Sequence, residues 1–274
     1  MLRGQASGVV GQDGRPFRIA DSWLLILAAH PLKSTFVLAL LVRLINIALL
    51  THRDAFFAEQ DAFGYWALGA ALAKRETFWP TLLAMTDRMP LYPLLVAGIQ
   101  HIFGDAPRAV ALVQAVIDAT TCALIAALGA LISPPVALIG GILAALSVTL
   151  IVFSTQILTE SLFLFFFTLM LFAGARFLLR PTAGLAVWAG VSGGLALATR
   201  PAIALLLGAA VPLVFVIALV QRRSVGLALA AAALFAIAAA APIAPVLLRN
   251  VVYYQSSSLT SQGGTILPCG LSRW

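Results

Sequence analysis

Asp61 and Tyr65 stand four residues apart in a polar stretch from His52 to Arg88, which closes on Arg88-Met89-Pro90-Leu91-Tyr92-Pro93. Glu160, Arg200 and Arg249 follow at long intervals. These are side chains of proton transfer and anion recognition. A carboxylate within hydrogen-bond reach of a hydroxyl can take its proton. A guanidinium makes paired, charge-assisted hydrogen bonds to phosphate oxygens. Each also has a plainer use. Asp61 can cap a helix N-terminus, worth about 1 kcal/mol, and Glu160 in a first turn gains from the helix macrodipole. Arg200 and Arg249 can snorkel to lipid headgroups. Arg88, Tyr65 and Tyr92 suit the interfacial layer as anchors.

Other chemistries find less support. His30, His52 and His101 have no ligand-like spacing to Cys or acidic residues, so no zinc site follows. Two cysteines, Cys122 in an apolar run and Cys269 near the C-terminus, make no disulfide framework. Gly190, Gly193 and Gly194 lie in an apolar run without a Lys-Ser/Thr ending, which suits close helix packing rather than a phosphate loop.

The elements that must position these residues are membrane helices. Apolar residues make up 62% of the 274 and charged ones 10%, with a mean hydropathy of +1.03, against roughly 45–50% apolar in soluble domains. Strand-like alternation is absent, so helices do the spanning. The expected fold is all-α: a polytopic bundle of about seven spans at 34–50, 108–132, 136–153, 161–179, 185–199, 203–220 and 225–248. Shorter apolar pieces lie at 23–30 and 90–103. The polar N-terminus lacks a small-residue cleavage site after the first apolar run, which reads as an uncleaved anchor. The net charge of +7 sits in short loops, as a topology signal rather than a nucleic-acid surface.

Whether 90–103 crosses decides the side of everything after it. If it does not, Arg3, Arg15, Arg18, Lys33, Arg176, Arg180, Arg222 and Arg223 all fall on the cytoplasmic side, as the positive-inside rule asks. At about 14 residues, with Pro90 and Pro93, the piece is also short for a span. It is expected as one of two juxtamembrane helices on the outer face. The other carries Asp61, Tyr65, Leu68 and Leu72 at helical spacing. Arg43 and Asp118 fall near the middle of their spans and are expected to form an intramembrane ion pair that docks helices.

The order of motifs supports a resemblance. Asp61 and Tyr65 follow the first span, then come Pro90-Leu91-Tyr92-Pro93, Thr159-Glu160-Ser161-Leu162-Phe163, Arg200-Pro201 and Arg249-Asn250. This series resembles the GT-C superfamily of membrane glycosyltransferases. Within it the chain looks most like bacterial members related to protein O-mannosyltransferases, aminoarabinose transferases and lipopolysaccharide-core galacturonosyltransferases. One departure is Gln60-Asp61-Ala62, where many members carry an acidic pair.

The resemblance implies transfer of a sugar from a polyprenyl-phosphate donor to a hydroxyl of a glycan, lipid or protein, with inversion, at the outer face of a bacterial inner membrane. The N-terminus would be cytoplasmic. Asp61 would be the base, with Glu160, Arg200, Arg249, Arg88, Tyr65 and Tyr92 binding substrate. No cofactor is certain, and a divalent cation, if one is used, would fall to Asp61 and Glu160. Three regions are expected: a cytoplasmic segment 1–33, a transmembrane module 34–250, and 251–274 as the start of an outer segment cut short, since members commonly run longer. The rivals are a small-solute transporter, whose mark would be broken or polar helices at mid-membrane, and an inactive truncated relative.

Overall fold

The computed structural model describes residues 30–221 and 223–261. The expectations for Arg3, Arg15, Arg18, the apolar piece before His30, Arg222, the tail beyond Ser261 and Cys269 lie outside the described residues. Among the described residues the chain is helical throughout, without strands. The helices are α1 Pro31–Leu49, α2 Gln60–Ala73, α3 Arg75–Ala84, α4 Leu91–Phe103, α5 Pro107–Ala130, α6 Pro134–Ala145, α7 Val148–Thr155, α8 Glu160–Leu179, α9 Ala183–Leu197, α10 Ala204–Val220, α11 Val225–Ala240 and α12 Ala244–Tyr254. Short 3-10 turns at Arg53–Phe57 and Pro201–Ile203 precede α2 and α10.

Four of these, α1, α5, α8 and Pro201–Val220, are long and apolar enough to cross a membrane, and six spans result if each bent pair counts as one. Two expected spans are thus broken. At 136–153 the chain bends by 51° between α6 and α7, and at 225–248 by 59° between α11 and α12. The second break has Pro242 in it and Pro245 opening α12; proline lacks the amide that would continue the helix. The expected fifth span is α9, whose 15 residues rise only about 22 Å, short of a hydrocarbon core of roughly 30 Å.

The first break has a different cause. Arg43, fully buried on α1, donates through Nη1 to Ala145 O at 2.8 Å and to Ala39 O at 3.1 Å. In an unbroken helix the Ala145 carbonyl would accept from the amide four residues on; here a side chain has entered the ladder. The same guanidinium meets Asp118 Oδ2 of α5 through Nε and Cys122 Sγ through Nη2 at 3.4 Å. One side chain therefore joins α1, α5 and the end of α6.

The glycines of α9 serve close packing. A Cβ on Gly190 would stand 2.4 Å from Phe235 O, and one on Gly194 would stand 2.3 Å from Ala239 O. The backbones of α9 and α11 are in direct contact there.

The polar interval between α1 and α5 holds one helix more than expected, α3, which tolerates Pro80 in its interior. Its ends meet: Arg108 Nη2 donates to Leu50 O at 2.7 Å, and Arg53 grips Asp105 with two bonds of 2.8 and 2.5 Å. On α2 the fully buried stripe is Ala62, Trp66, Gly69 and Leu72, and Asp61 and Tyr65 flank it. A Cβ on Gly69 would stand 2.5 Å from Val96 Cγ1, so α2 and α4 pack as closely as glycine allows. Leu91 N bonds Ala198 O and Ile157 N bonds Phe56 O, both at 3.2 Å. Residues 50–107 are thereby packed onto the same bundle end as the α7–α8 and α9–α10 connections.

Arg43→Met or Asp118→Leu alone strands a buried charge, and each is expected to lower stability by about 3–5 kcal/mol, read from unfolding midpoints in mixed micelles. The double change Arg43→Met with Asp118→Leu should recover most of that loss. The charge swap Arg43→Asp with Asp118→Arg should recover less, because a carboxylate would then face the Ala145 carbonyl.

Candidate functional site

Asp61 sits in the first turn of α2, whose N-cap is Glu59, and makes no cap hydrogen bond. Capping, the plainer use open to it, is therefore not the one it has. Its Oδ1 is 3.0 Å from Arg88 Nη2, and Arg88 Nη1 donates to the Asp61 carbonyl at 3.3 Å. The Arg88 side chain is only 16% exposed and that of Asp61 is 71% exposed. The carboxylate is thus held from behind and open in front. The guanidinium also lies 4.4 Å from the Tyr65 ring centroid, a cation–π contact, with Asp87 Oδ2 at 3.6 Å. Gly64 makes this possible: a Cβ there would stand 2.8 Å from Arg88 Nη2. Nothing in the sequence pattern marks Gly64 for that use, which exists only once Arg88 folds back onto α2.

Glu160 opens α8 and pairs with Arg200 Nη1 at 2.6 Å; their side chains are 20% and 42% exposed. Arg200 also lies 5.9 Å from the Phe163 ring. The two ion pairs act on one phenol. Burial pushes the Tyr65 hydroxyl above the ordinary phenol range, Arg88 opposes, Asp61 and Glu160 add, and Arg200 opposes. Tyr65 is therefore a neutral hydrogen-bond donor at physiological pH, and the carboxylates are the proton acceptors of the group.

Tyr92 is fully buried. It reaches the site only through Tyr65, whose ring meets it edge to face at 5.1 Å. Burial, with smaller contributions from Tyr65 and Glu160, holds its hydroxyl well above the ordinary range. That hydroxyl donates to Gln114 Oε1 at 2.5 Å, and Gln114 Nε2 donates to Ser154 O at 3.2 Å and Gln156 O at 2.6 Å. Gln114 escaped the sequence reading. The signal was present: an amide seven residues into a span must find partners inside the protein. It ties α4 to the α7–α8 connection that carries Glu160.

Arg249 lies within α12 and is buried, not turned to lipid headgroups. It bonds Asn250 Oδ1 through Nε and Leu82 O through Nη1, both at 2.9 Å. Tyr254 Oη donates to Leu83 O at 2.8 Å. Leu82 and Leu83 belong to the last turn of α3, whose carbonyls have no partner within the helix, so α12 caps α3. Arg249 Nη2 is left buried without a hydrogen bond among the described residues. Asn250 Nδ2 holds the returning chain at Ser258 O, 2.7 Å away.

The six residues expected to bind substrate, and Asp61, thus divide. Asp61, Tyr65, Arg88 and Tyr92 form one connected cluster, and Glu160 with Arg200 a second that Tyr65 senses. Arg249 belongs to the α3–α12 junction, where it bonds Leu82 O and Asn250 Oδ1. Asp61 and Glu160, the carboxylates considered for a cation, each carry an arginine. No group of three or more His, Cys, Asp or Glu side chains gathers among the described residues.

Residues 87–248 match the sequence model of the dolichyl-phosphate-mannose-protein mannosyltransferase family. The matched stretch contains Arg88, Tyr92, Gln114, Glu160 and Arg200; Asp61 and Tyr65 precede it and Arg249 directly follows. No curated protein and no solved structure matches the chain.

Tyr92→Phe and Gln114→Leu are each expected to cost about 1–3 kcal/mol, since each leaves a buried partner unsatisfied. The double variant should cost less than their sum, by 0.5 kcal/mol or more on the usual scale of roughly 0.5–3 kcal/mol for contacting residues. A thermal-unfolding double-mutant cycle measures this.

Proposed function

Since the chain belongs to the dolichyl-phosphate-mannose-protein mannosyltransferase family, membrane glycosyltransferases of GT-C type, we propose that it moves a sugar from a polyprenyl-phosphate donor to an acceptor hydroxyl, with inversion. Asp61 takes the hydroxyl proton as the acceptor oxygen bonds to the anomeric carbon. The bond from that carbon to the phosphate oxygen breaks, and its electron pair leaves with the phosphate. Attack from the side opposite the departing group inverts the centre. Arg88 holds the carboxylate in place through Oδ1 while its exposed side meets the acceptor.

Arg200 is the half-exposed cation of the group and suits the departing phosphate, with Glu160 fixing its reach. The unpartnered Nη2 of Arg249 supports an anionic oxygen at the α3–α12 junction. The observation that carries the reading is a carboxylate, Asp61, held from behind by Arg88 and open in front, at the end of an apolar bundle where a second carboxylate–arginine pair, Glu160 and Arg200, also lies. Charge distribution supports the outer face of a bacterial inner membrane, with the N-terminus inside. At the opposite bundle end Lys33, Arg176, Arg180 and Arg223 stand without an acidic residue among those described.

The two broken spans revive the transporter, whose mark is a broken helix near mid-membrane. Arg43, at the first break, argues against it: the side chain is fully buried and bonded within the protein, not toward a passage.

Asp61→Asn is expected to lower turnover of lipid-linked sugar roughly 10²–10⁴-fold at equal protein level. Equal turnover by wild type and variant removes Asp61 as base; uptake of free sugar without transfer would favour the transporter. Gly64→Ala should keep the fold, since the added Cβ meets only the mobile end of Arg88. It should displace that guanidinium and lower kcat with little change in helicity by circular dichroism.

A further inference from the structure

Away from the two ion pairs, α2, α3 and α4 enclose a cleft of about 650 Å³, lined by Leu72, Arg75, Trp79, Leu94, Ala97 and His101 among others. A second cleft of about 360 Å³, with Lys74 and Gln100 in its wall, shares Ala73 and His101 with the first. The floor is open: a Cβ on Gly98 would meet nothing within 4 Å. Helix α3 has no buried residue, and Trp79 is 65% exposed.

The charges around this space favour an anion. Lys74, Arg75 and His101 border it. Of the nearby carboxylates, Asp105, in the wall of the second cleft, is taken by Arg53 through two bonds, and Glu76 lies in the first turn of α3. Gln100 is buried and turned toward α2, its Nε2 given to Trp66 O at 3.2 Å and its Oε1 3.2 Å from where a Cβ on Gly69 would stand. The space thus combines apolar walls and a basic rim. In a chain whose surroundings are a bilayer, lipid is the molecule at hand with that combination.

We propose that this cleft binds an anionic phospholipid of the bilayer, for which phosphatidylglycerol is the probe. Lys74, Arg75 and His101 take the phosphodiester, and an acyl chain lies along Leu72, Leu94 and Ala97. The site is separate from the Asp61 and Glu160 pairs and does not depend on sugar transfer.

The test uses the full chain, purified in detergent with an equal mixture of phosphatidylglycerol and phosphatidylcholine and read by native mass spectrometry. Wild type should retain phosphatidylglycerol over phosphatidylcholine roughly tenfold, in keeping with attraction by two or three cations near the headgroups. Lys74→Gln with Arg75→Gln, and separately Gly98→Leu, should bring the ratio near one while helicity and monodispersity stay as in wild type. Position 98 is exposed and a Cβ there meets nothing within 4 Å, so Gly98→Leu obstructs the cleft while leaving the charges. If it nonetheless unfolds, the charge variant decides alone. Equal retention of the two lipids by wild type, or an unchanged ratio in the folded variants, overturns the proposal. So does enrichment of an added polyprenyl phosphate with none of phosphatidylglycerol.

Discussion

A guanidinium in the apolar interior has to be answered by the protein on every side, and Arg43 is answered by three separate stretches of chain. Asp118 supplies the countercharge, Ala39 and Ala145 supply carbonyls, and Cys122 supplies a soft acceptor. An unpaired charge at that depth is expensive even by the lower scales, about 2.5–3.5 kcal/mol. The register of α1 against α5 is therefore tightly constrained. With that register set, Leu50 and Arg108 come together, and the 50–107 stretch must fold on the end of the bundle where they meet. The contact that looks least like chemistry is what seats the helix of Asp61 at the bundle end where α8 begins.

At the other end of that chain of contacts, order is passed along by aromatic rings and one amide. Gln114 holds Tyr92, Tyr92 meets Tyr65 edge to face, Tyr65 lies under Arg88, and Arg88 holds Asp61. Beneath them Ile47, Phe56, Trp66, Val96, Ile157 and Leu162 form one apolar cluster drawn from α1, the first 3-10 turn, α2, α4, the α7–α8 connection and α8. The site stands on a core of its own, distinct from the one between α8, α9, α10 and α11.

How much of this the sequence disclosed depended on the range of the interaction. Apolar runs and charge parity are local properties, and they sufficed for an all-helical membrane bundle and for α2 and α4 beside it. The motif order sufficed for the family. Both breaks were missed for different reasons: Pro242 was a visible stop inside a long apolar run, whereas the bend after Ala145 depends on an arginine 102 residues away. Helix α3 hid behind Pro80 and a mixed composition, because its last carbonyls are capped by Arg249 and Tyr254 from the far end of the chain. Asp61, Tyr65, Arg88, Glu160 and Arg200 could be picked out by type and position. Which arginine serves which carboxylate, and that Tyr92 stays beneath the surface, required the packing.

The short helix α9 has a consequence for how the bundle meets membranes of different thickness. Lipid-facing spans tilt or stretch the bilayer around them to match its hydrocarbon depth, at a fraction of a kcal/mol per ångström. Helix α9 is largely shielded, pressed backbone to backbone on α11 and packed along α8. Its length answers to its two neighbours and not to the bilayer. Arg200, which follows α9, is delivered to Glu160 at a depth gauged from within the protein, so the outer spans can rock with their surroundings while the reach between those two residues stays the same.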